Sequence, residues 1–164
     1  MESVSAFASI INMGWSSEQQ KRLGLEKAIL ETYFKHKVQW INPTACGETK
    51  VEVQMTTTNN KNFTLRVYLP NDFPNSCPDM VVCNPSSPLV KKDGSVLSSV
   101  SGTDHTYGTK DGMTKICHFL PAKWTSENTL YQIFMKGLIW LEAYEGHRAT
   151  GQPINNFLRE FSSP

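Results

Sequence analysis

The stretch KVEVQMTTTNNKNFTLRVYL, residues 50–69, decides the fold class. Apolar and polar residues alternate on both sides of the polar run TNNKN, residues 58–62. Alternation with a period of two places the apolar residues of a strand on one face of a sheet, and Asn-rich runs form hairpin turns. The stretch therefore predicts an antiparallel hairpin with one buried face. That face consists of Val51, Val53, Met55, Phe63, Leu65, Val67 and Leu69.

Strand patterns also flank this hairpin. KVQWIN, residues 37–42, precedes it, and residues 80–83 form a short apolar run inside a segment with prolines at positions 70, 74, 78, 85 and 88. Proline cannot donate a hydrogen bond to a strand ladder, so most of this segment is expected on the surface or at a sheet edge. Residues 86–113 are rich in Ser, Gly, Asp and Lys and predict a long irregular loop.

Helices are predicted on both sides of the sheet. Ser17 and Gln20 form a capping-box pattern, which predicts a first helix that ends at residues 34–36 with Leu25, Ile29 and Tyr33 on its apolar face. A second helix follows the candidate caps Thr125 and Ser126. Its apolar stripe comprises Leu130, Ile133, Phe134, Gly137, Leu138, Leu141 and Tyr144. The tail QPINNFLREF predicts a short last helix with Pro153 in its first turn.

The order of the predicted elements indicates an α+β protein, and the length of the chain favours one domain over residues 1–164, with a core expected at about residues 17–145. Residues 1–15 are expected to be flexible or accessory, and residues 146–164 a helical tail. With 16 Lys and Arg against 15 Asp and Glu, the formal charge is +1, which excludes a chain-wide basic surface for nucleic acid or membrane. No signal peptide or membrane span is predicted, so we expect a cytoplasmic or nucleocytoplasmic protein.

Cysteine chemistry centres on Cys117, in the segment TKICHFLPAKWTSENTL, residues 114–130. A thiol that leaves a short apolar run ahead of a helix can be held rigidly and still be reached, as nucleophilic chemistry requires. Cys46, Cys77 and Cys83 are expected to be reduced packing residues, since no CxxC pair occurs. A zinc site built from Cys77, Cys83, His105 and Cys117 is the alternative, although its spacing lacks a close ligand pair.

Two segments resemble the ubiquitin-conjugating enzyme family. In FTLRVYLPNDFPNSCPDMVV, residues 63–82, Phe73-Pro74 stands where the family has Tyr-Pro, and Pro78 matches a following proline. KICHFLPAKWTSENTL, residues 115–130, is similar to the family's catalytic Ile-Cys-Leu-Asp segment, its downstream tryptophan and its Thr-plus-aliphatic helix start. The resemblance implies that Cys117 forms the thioester, that Trp124 is structural and that a helix begins at Thr129-Leu130.

The resemblance also implies a fold and a reaction. The fold is an N-terminal helix, an antiparallel meander of about four strands, a long active-site loop and C-terminal helices. The reaction carries a ubiquitin-like modifier on Cys117 and passes it to an amine or thiol. The implied partners are ubiquitin or a ubiquitin-like modifier, its activating enzyme and a ligase that docks on the first helix and the proline-rich loop, without nucleic acid or membrane. No cofactor is implied at Cys117, because the activating enzyme uses the ATP.

Departures from the family concern the groups around the thiol. The nearest match to the family's His-Pro-Asn motif is His105-Thr106-Tyr107, which lacks the Asn, and His118-Phe119 replaces Leu-Asp. His118 is expected to face away from the thiol on an extended chain. We therefore assign His105 and Tyr107 to the site, with the Tyr107 hydroxyl as the hypothetical oxyanion donor. The rival interpretation is an inactive binding module in which Cys117 is structural.

Overall fold

The structure, a computed structural model, describes residues 14–116 and 123–158. These residues form helices on one side of a seven-stranded antiparallel sheet whose strand order is β1-β2-β3-β4-β7-β6-β5. The elements are α1 (Ser17–Phe34), a 3-10 helix (Lys35–Lys37), β1 (Val38–Ile41), β2 (Lys50–Thr56), β3 (Asn62–Tyr68), β4 (Asp79–Asn84), β5 (Val100–Ser101), β6 (Thr106–Lys110), β7 (Met113–Ile116), α2 (Leu130–Thr150) and α3 (Ile154–Leu158).

The hairpin of β2 and β3 forms as predicted. Val53 pairs with Leu65 and Met55 with Phe63, and the alternate apolar residues of both strands are buried. The turn is closed by a hydrogen bond from Asn60 N to Thr57 O (2.9 Å), and Asn60 adopts a left-handed φ of 61° that Asn tolerates well. β1 and β4 flank this hairpin and complete the expected meander.

The sheet does not stop at the meander, and the predicted fold class is wrong on this point. β4 pairs with β7 through Val81 and Lys115, and β6 and β5 continue the sheet beyond it. The sheet of the described residues therefore has seven strands, whereas the ubiquitin-conjugating-like fold predicted above has about four strands and a long active-site loop. The predicted loop over residues 86–113 is likewise wrong, because it contains β5 and β6.

Buried threonines explain why a search for alternating apolar residues did not predict the strands β6 and β7. Thr106 and Thr114 occupy inward positions at 1% and 0% exposure. The Thr114 hydroxyl donates to Leu97 O (2.9 Å) and accepts from Leu89 N (2.9 Å). Both hydrogen bonds are made to the backbone, so this polar side chain can be buried in the core. A rule that searches for alternating apolar residues does not detect such strands.

The segment between β4 and β5 is held against α2. The Tyr144 hydroxyl donates to Val90 O (2.7 Å), and Lys92 N donates to the buried His147 at Nε2 (3.1 Å). His147 Nδ1 faces Gln152 O at 2.7 Å, so its ring donates there and accepts from Lys92. An isolated bridge between Val90 and Val96 folds this segment back on itself.

The helix α2 confirms the predicted apolar stripe, and its first residue confirms the helix start at Thr129-Leu130. Thr129 is the N-cap and forms a capping box with Gln132, so the candidate caps Thr125 and Ser126 were wrong. Gly137 faces the sheet, and a Cβ there would lie 2.6 Å from Leu65 Cδ1. The absence of a side chain at Gly137 therefore lets α2 approach β3 closely.

The helix α1 begins and packs differently from the prediction. Its N-cap is Ser16, with Gln19 completing the capping box, one residue earlier than expected. The predicted apolar face is wrong, since Leu25 and Tyr33 are 64% and 62% exposed. The buried positions are instead Leu23, Glu26 and Leu30.

A buried carboxylate fixes α1 to the start of α2. Glu26 is 1% exposed; its Oε1 accepts from Leu130 N (2.9 Å) and its Oε2 from Arg22 Nε (2.8 Å). The Arg22 guanidinium also donates to the carbonyl oxygens of Ser126 and Asn128 (2.6 Å from the latter). A negative charge at the N-terminus of α2 also interacts favourably with the helix dipole.

In the described part of the chain, no helix combines the length and the apolar character that crossing a bilayer requires.

Replacing Glu26 by Ala is expected to lower the free energy of unfolding by about 3–5 kcal/mol, because it strands the Arg22 charge and the Leu130 N–H. Glu26→Gln keeps an acceptor for Leu130 and is expected to cost less. Urea denaturation followed by circular dichroism measures both, with the exposed Glu31→Ala on the same helix as control. A loss of stability in Glu26→Ala no larger than in the control would contradict the role of this carboxylate.

Candidate functional site

Cys117, on which the sequence analysis centres, lies outside the described residues, as do His118 and Phe119. The described residues before this segment end at Ile116, the last residue of β7, and those after it begin at Lys123. Ile116 is fully buried, and Trp124 is 8% exposed and donates from its indole Nε1 to Pro74 O (2.9 Å). The structural role that the resemblance implies for Trp124 agrees with this burial, and packed residues adjoin the segment on both sides.

The register of β6 and β7 shows which described residues adjoin the end of β7. Thr106 pairs with Ile116. His105 directly precedes Thr106, and Cys117 directly follows Ile116 in the sequence. The structure therefore places His105 at the end of the sheet from which the chain continues to the cysteine.

His105 is held by a contact that the sequence did not suggest. Its Nε2 lies 2.6 Å from Asn155 Oδ1 on α3, and Asn155 N donates to Thr103 O (3.0 Å). The backbone of His105 has a φ of +53°, in the left-handed region that residues other than glycine rarely adopt. The neighbouring Asp104 carbonyl accepts from Trp140 Nε1 (3.0 Å), which fixes the turn against α2.

The contact with Asn155 sets the chemistry of the His105 ring. A carbonyl oxygen only accepts, so Nε2 carries a hydrogen in this contact, and in the neutral ring the lone pair is then on Nδ1. An imidazole in that form can accept a proton, which is the role of a general base. The arrangement can therefore perform general-base chemistry at Nδ1.

Tyr107, the other predicted site residue, lies on β6 opposite Val100. Its ring has the Lys115 ammonium 5.9 Å from its centroid. The Tyr107 ring therefore interacts with the Lys115 ammonium on β7. The role of the Tyr107 hydroxyl as an oxyanion donor stays a prediction. His105 directly precedes β6 and Tyr107 is the second residue of that strand, so both lie at the same end of it.

Charged residues that the sequence analysis did not single out lie on the outer face of the sheet. Asp79 on β4 accepts from Lys110 (2.8 Å) and lies 3.2 Å from the Lys115 ammonium. Partial burial raises the pKa of Asp79, but the hydrogen bonds and charges of the two lysines outweigh it, so the net pKa is lowered. Lys115 thus provides a positive charge one residue before the end of β7.

The cysteines in the described part of the chain are poor nucleophiles. Burial, with a contribution from Asp79, raises the pKa of Cys77 to about 11. Burial together with the charge of Glu52 raises that of Cys83 to about 11, and burial raises the pKa of Cys46. At neutral pH a thiol with a pKa of about 11 is thiolate in roughly one molecule in 10,000.

The zinc alternative gains no support from the described residues. Three of its four ligands, Cys77, Cys83 and His105, lie in the described part of the chain, and no three metal-binding side chains gather there. The prediction of packing roles for Cys77 and Cys83 agrees with their partly buried positions.

No protein-family model matches the chain, and no curated protein or solved structure matches it either.

Alkylation with iodoacetamide is expected to modify Cys77 and Cys83 slowly at pH 7 and about tenfold faster for each unit of pH up to about 10, because only the thiolate reacts. Mass spectrometry of peptides after timed quenching measures each site separately. The same reaction on the urea-unfolded chain supplies the control rate. Equal rates for Cys83 in the folded and unfolded chains at pH 7 would contradict its protected state.

Proposed function

We propose that this chain is a cysteine-dependent acyl transferase that carries a ubiquitin-like modifier as a thioester on Cys117 and passes it to an amine or thiol. The observation that carries the proposal is the His105 imidazole, oriented by Asn155 at the end of the β6–β7 ladder that leads into Cys117. The identity of the modifier class rests on the sequence resemblance of residues 114–130. The strand number of the sheet gives this proposal no support.

The described thiols favour Cys117 by elimination. The chain has four cysteines, and Cys46, Cys77 and Cys83 all have raised pKa values. Thioester exchange needs a thiolate, so Cys77 and Cys83 react slowly near neutral pH, and burial shifts Cys46 in the same direction. Cys117 is the remaining cysteine of the sequence.

Loading of the thiol is a thioester exchange. The Cys117 sulfur attacks the carbonyl carbon of the modifier's thioester on its activating enzyme. A new carbon–sulfur bond forms as the Cys117 thiol gives up its proton, the old carbon–sulfur bond breaks, and the activating enzyme's cysteine leaves as a thiolate that takes up a proton in turn. Two thioesters are of similar energy, so the step needs neither a cofactor nor a strong base.

Discharge to an amine is the step in which His105 acts. The acceptor nitrogen attacks the Cys117 thioester carbonyl, and Cys117 leaves as a thiolate. The attacking amine must lose a proton, which His105 Nδ1 accepts because Asn155 holds the hydrogen on Nε2. Asn155 is thus a positioning residue, and Tyr107 is assigned the hydrogen bond to the developing oxyanion.

The rival function is an inactive binding module. It is favoured by the outer face of the sheet, where charged side chains are already paired into a rigid polar surface. Arg66 donates to Glu52 (2.7 Å), and the Tyr68 hydroxyl donates to Asp111 (2.7 Å). Such a surface can recognise a partner by charge complementarity without any chemistry at Cys117.

Incubation with candidate activating enzymes, their modifiers and ATP is expected to give a thiol-sensitive adduct on non-reducing electrophoresis. Cys117→Ala should give none, and Cys117→Ser should give an adduct that resists thiols, since an oxyester replaces the thioester. Cys83→Ala is the matched control and should load like the wild type. If loading persists in Cys117→Ala, another residue carries the modifier and the assignment of Cys117 fails. If no matched set of enzymes loads the wild type, the transferase proposal fails and the binding module is favoured.

Discharge of the preloaded thioester to free lysine is expected to slow by about 10²–10⁴ in His105→Gln, because a general base is lost. Asn155→Ala should slow it less and shift its pH dependence, a change that a purely structural role would not produce. Tyr107→Phe should slow discharge by about 10²-fold if the hydroxyl stabilises the oxyanion. Single-turnover assays measure these rates, and an unchanged rate in Tyr107→Phe would remove that residue from the mechanism.

A further inference from the structure

A pocket of about 480 Å³ lies between α2 and the β2–β3 hairpin, and His105 is not among its lining residues. Its walls include Phe63 on β3, Leu89 beyond β4, and Tyr144 and Glu145 on α2. Lys61 and Arg148 lie at the same pocket and are exposed. Its volume is in the range of small-molecule sites, and the mixture of apolar walls with few charged groups is typical of them.

The unusual feature of this pocket is the state of Glu145. The residue is 9% exposed, and neither of its buried carboxylate oxygens has a hydrogen-bond partner among the described residues. Burying a carboxylate without a donor costs several kcal/mol, so proteins pair such groups or protonate them. Nearby Glu142, by contrast, accepts from Thr58 N (3.0 Å).

The obvious internal partner is turned away from this carboxylate. Arg148 follows Glu145 by three positions, a spacing at which opposite charges on a helix can pair. Its Nη1 instead donates to the carbonyl oxygens of Lys91 (3.1 Å) and Val90 (3.3 Å). A guanidinium has five N–H donors, so Arg148 can keep these contacts and still bind an anionic group.

We propose that this pocket binds a free α-amino acid with an apolar side chain. The ammonium group supplies three donors to the Glu145 carboxylate, and the carboxylate of the same molecule pairs with the Arg148 guanidinium. The apolar side chain lies against Phe63, Leu89 and Tyr144. The two charged groups of an α-amino acid are attached to one carbon, which matches two opposite charges on adjacent turns of one helix face.

Charge complementarity selects this occupant over simpler ones. A bare amine would satisfy Glu145 but would lie beside the cations of Arg148 and Lys61, and a bare carboxylate would lie beside Glu145. Only a molecule with both charges meets both requirements. The Glu145 oxygens are shielded from solvent, so the proposal includes a change of rotamer that turns this side chain toward the pocket on binding.

Isothermal titration calorimetry of the full chain with L-leucine is the direct test, and saturable binding is the expected result. 3-Methylbutylamine, which lacks the carboxylate, and 4-methylpentanoate, which lacks the ammonium group, should each bind at least about tenfold more weakly. Glu145→Gln and Arg148→Gln should weaken leucine binding by a similar factor. Glu142→Gln, on the same helix, is the matched control and should bind normally.

Three outcomes would overturn the proposal. The first is no saturable heat with leucine, methionine or phenylalanine up to about 10 mM. The second is binding of 3-methylbutylamine as tight as that of leucine. The third is evidence that Lys61 satisfies the carboxylate, namely equal losses of stability in Lys61→Met and Glu145→Gln that do not add in the double variant. Thermal melts confirm that each variant is folded and keep these outcomes interpretable.

Discussion

The carboxylate of Glu26 is the contact on which the arrangement of helices depends. It is buried between α1 and the first turn of α2, and it bonds both Leu130 N and Arg22. Arg22 in turn binds the carbonyl oxygens just before α2 and lies 5.5 Å from the centre of the Phe73 ring. A buried charge with defined hydrogen-bond partners tolerates few alternative positions, so this group fixes where α2 begins relative to α1.

The position of α2 then determines the rest of the core and the candidate site. Gly137 allows α2 to lie close on β3 and β4, while Tyr144 and His147 hold the segment that leads into the additional strands. Trp140 holds the carbonyl of Asp104, which is the residue directly before His105. The geometry of His105 therefore follows from the packing of α2 and from Asn155 on α3, and both helices lie far from it in sequence.

Sequence patterns predicted those parts of the fold in which apolar side chains alone decide burial. The hairpin of β2 and β3 and the stripe on α2 belong to this class. The pattern misled where polar groups occupy buried positions: Glu26 takes a core position on α1, and Thr106 and Thr114 fill the inward faces of β6 and β7. The prediction that His105 and Tyr107 belong to the site rests on a local motif, whereas the contact between His105 and Asn155 could not be predicted, because no local signal links a residue to a partner so distant in the chain.

The two ends of the sheet also affect how the protein behaves at high concentration. β1 and β5 are its outermost strands, and β5 consists of Val100 and Ser101 alone. Unpaired backbone groups along a long edge invite another copy to add a strand, which is the route to fibrous aggregates. β5 itself offers only two residues to such a partner, so the exposed side chain of Val100 lies on a very short edge strand.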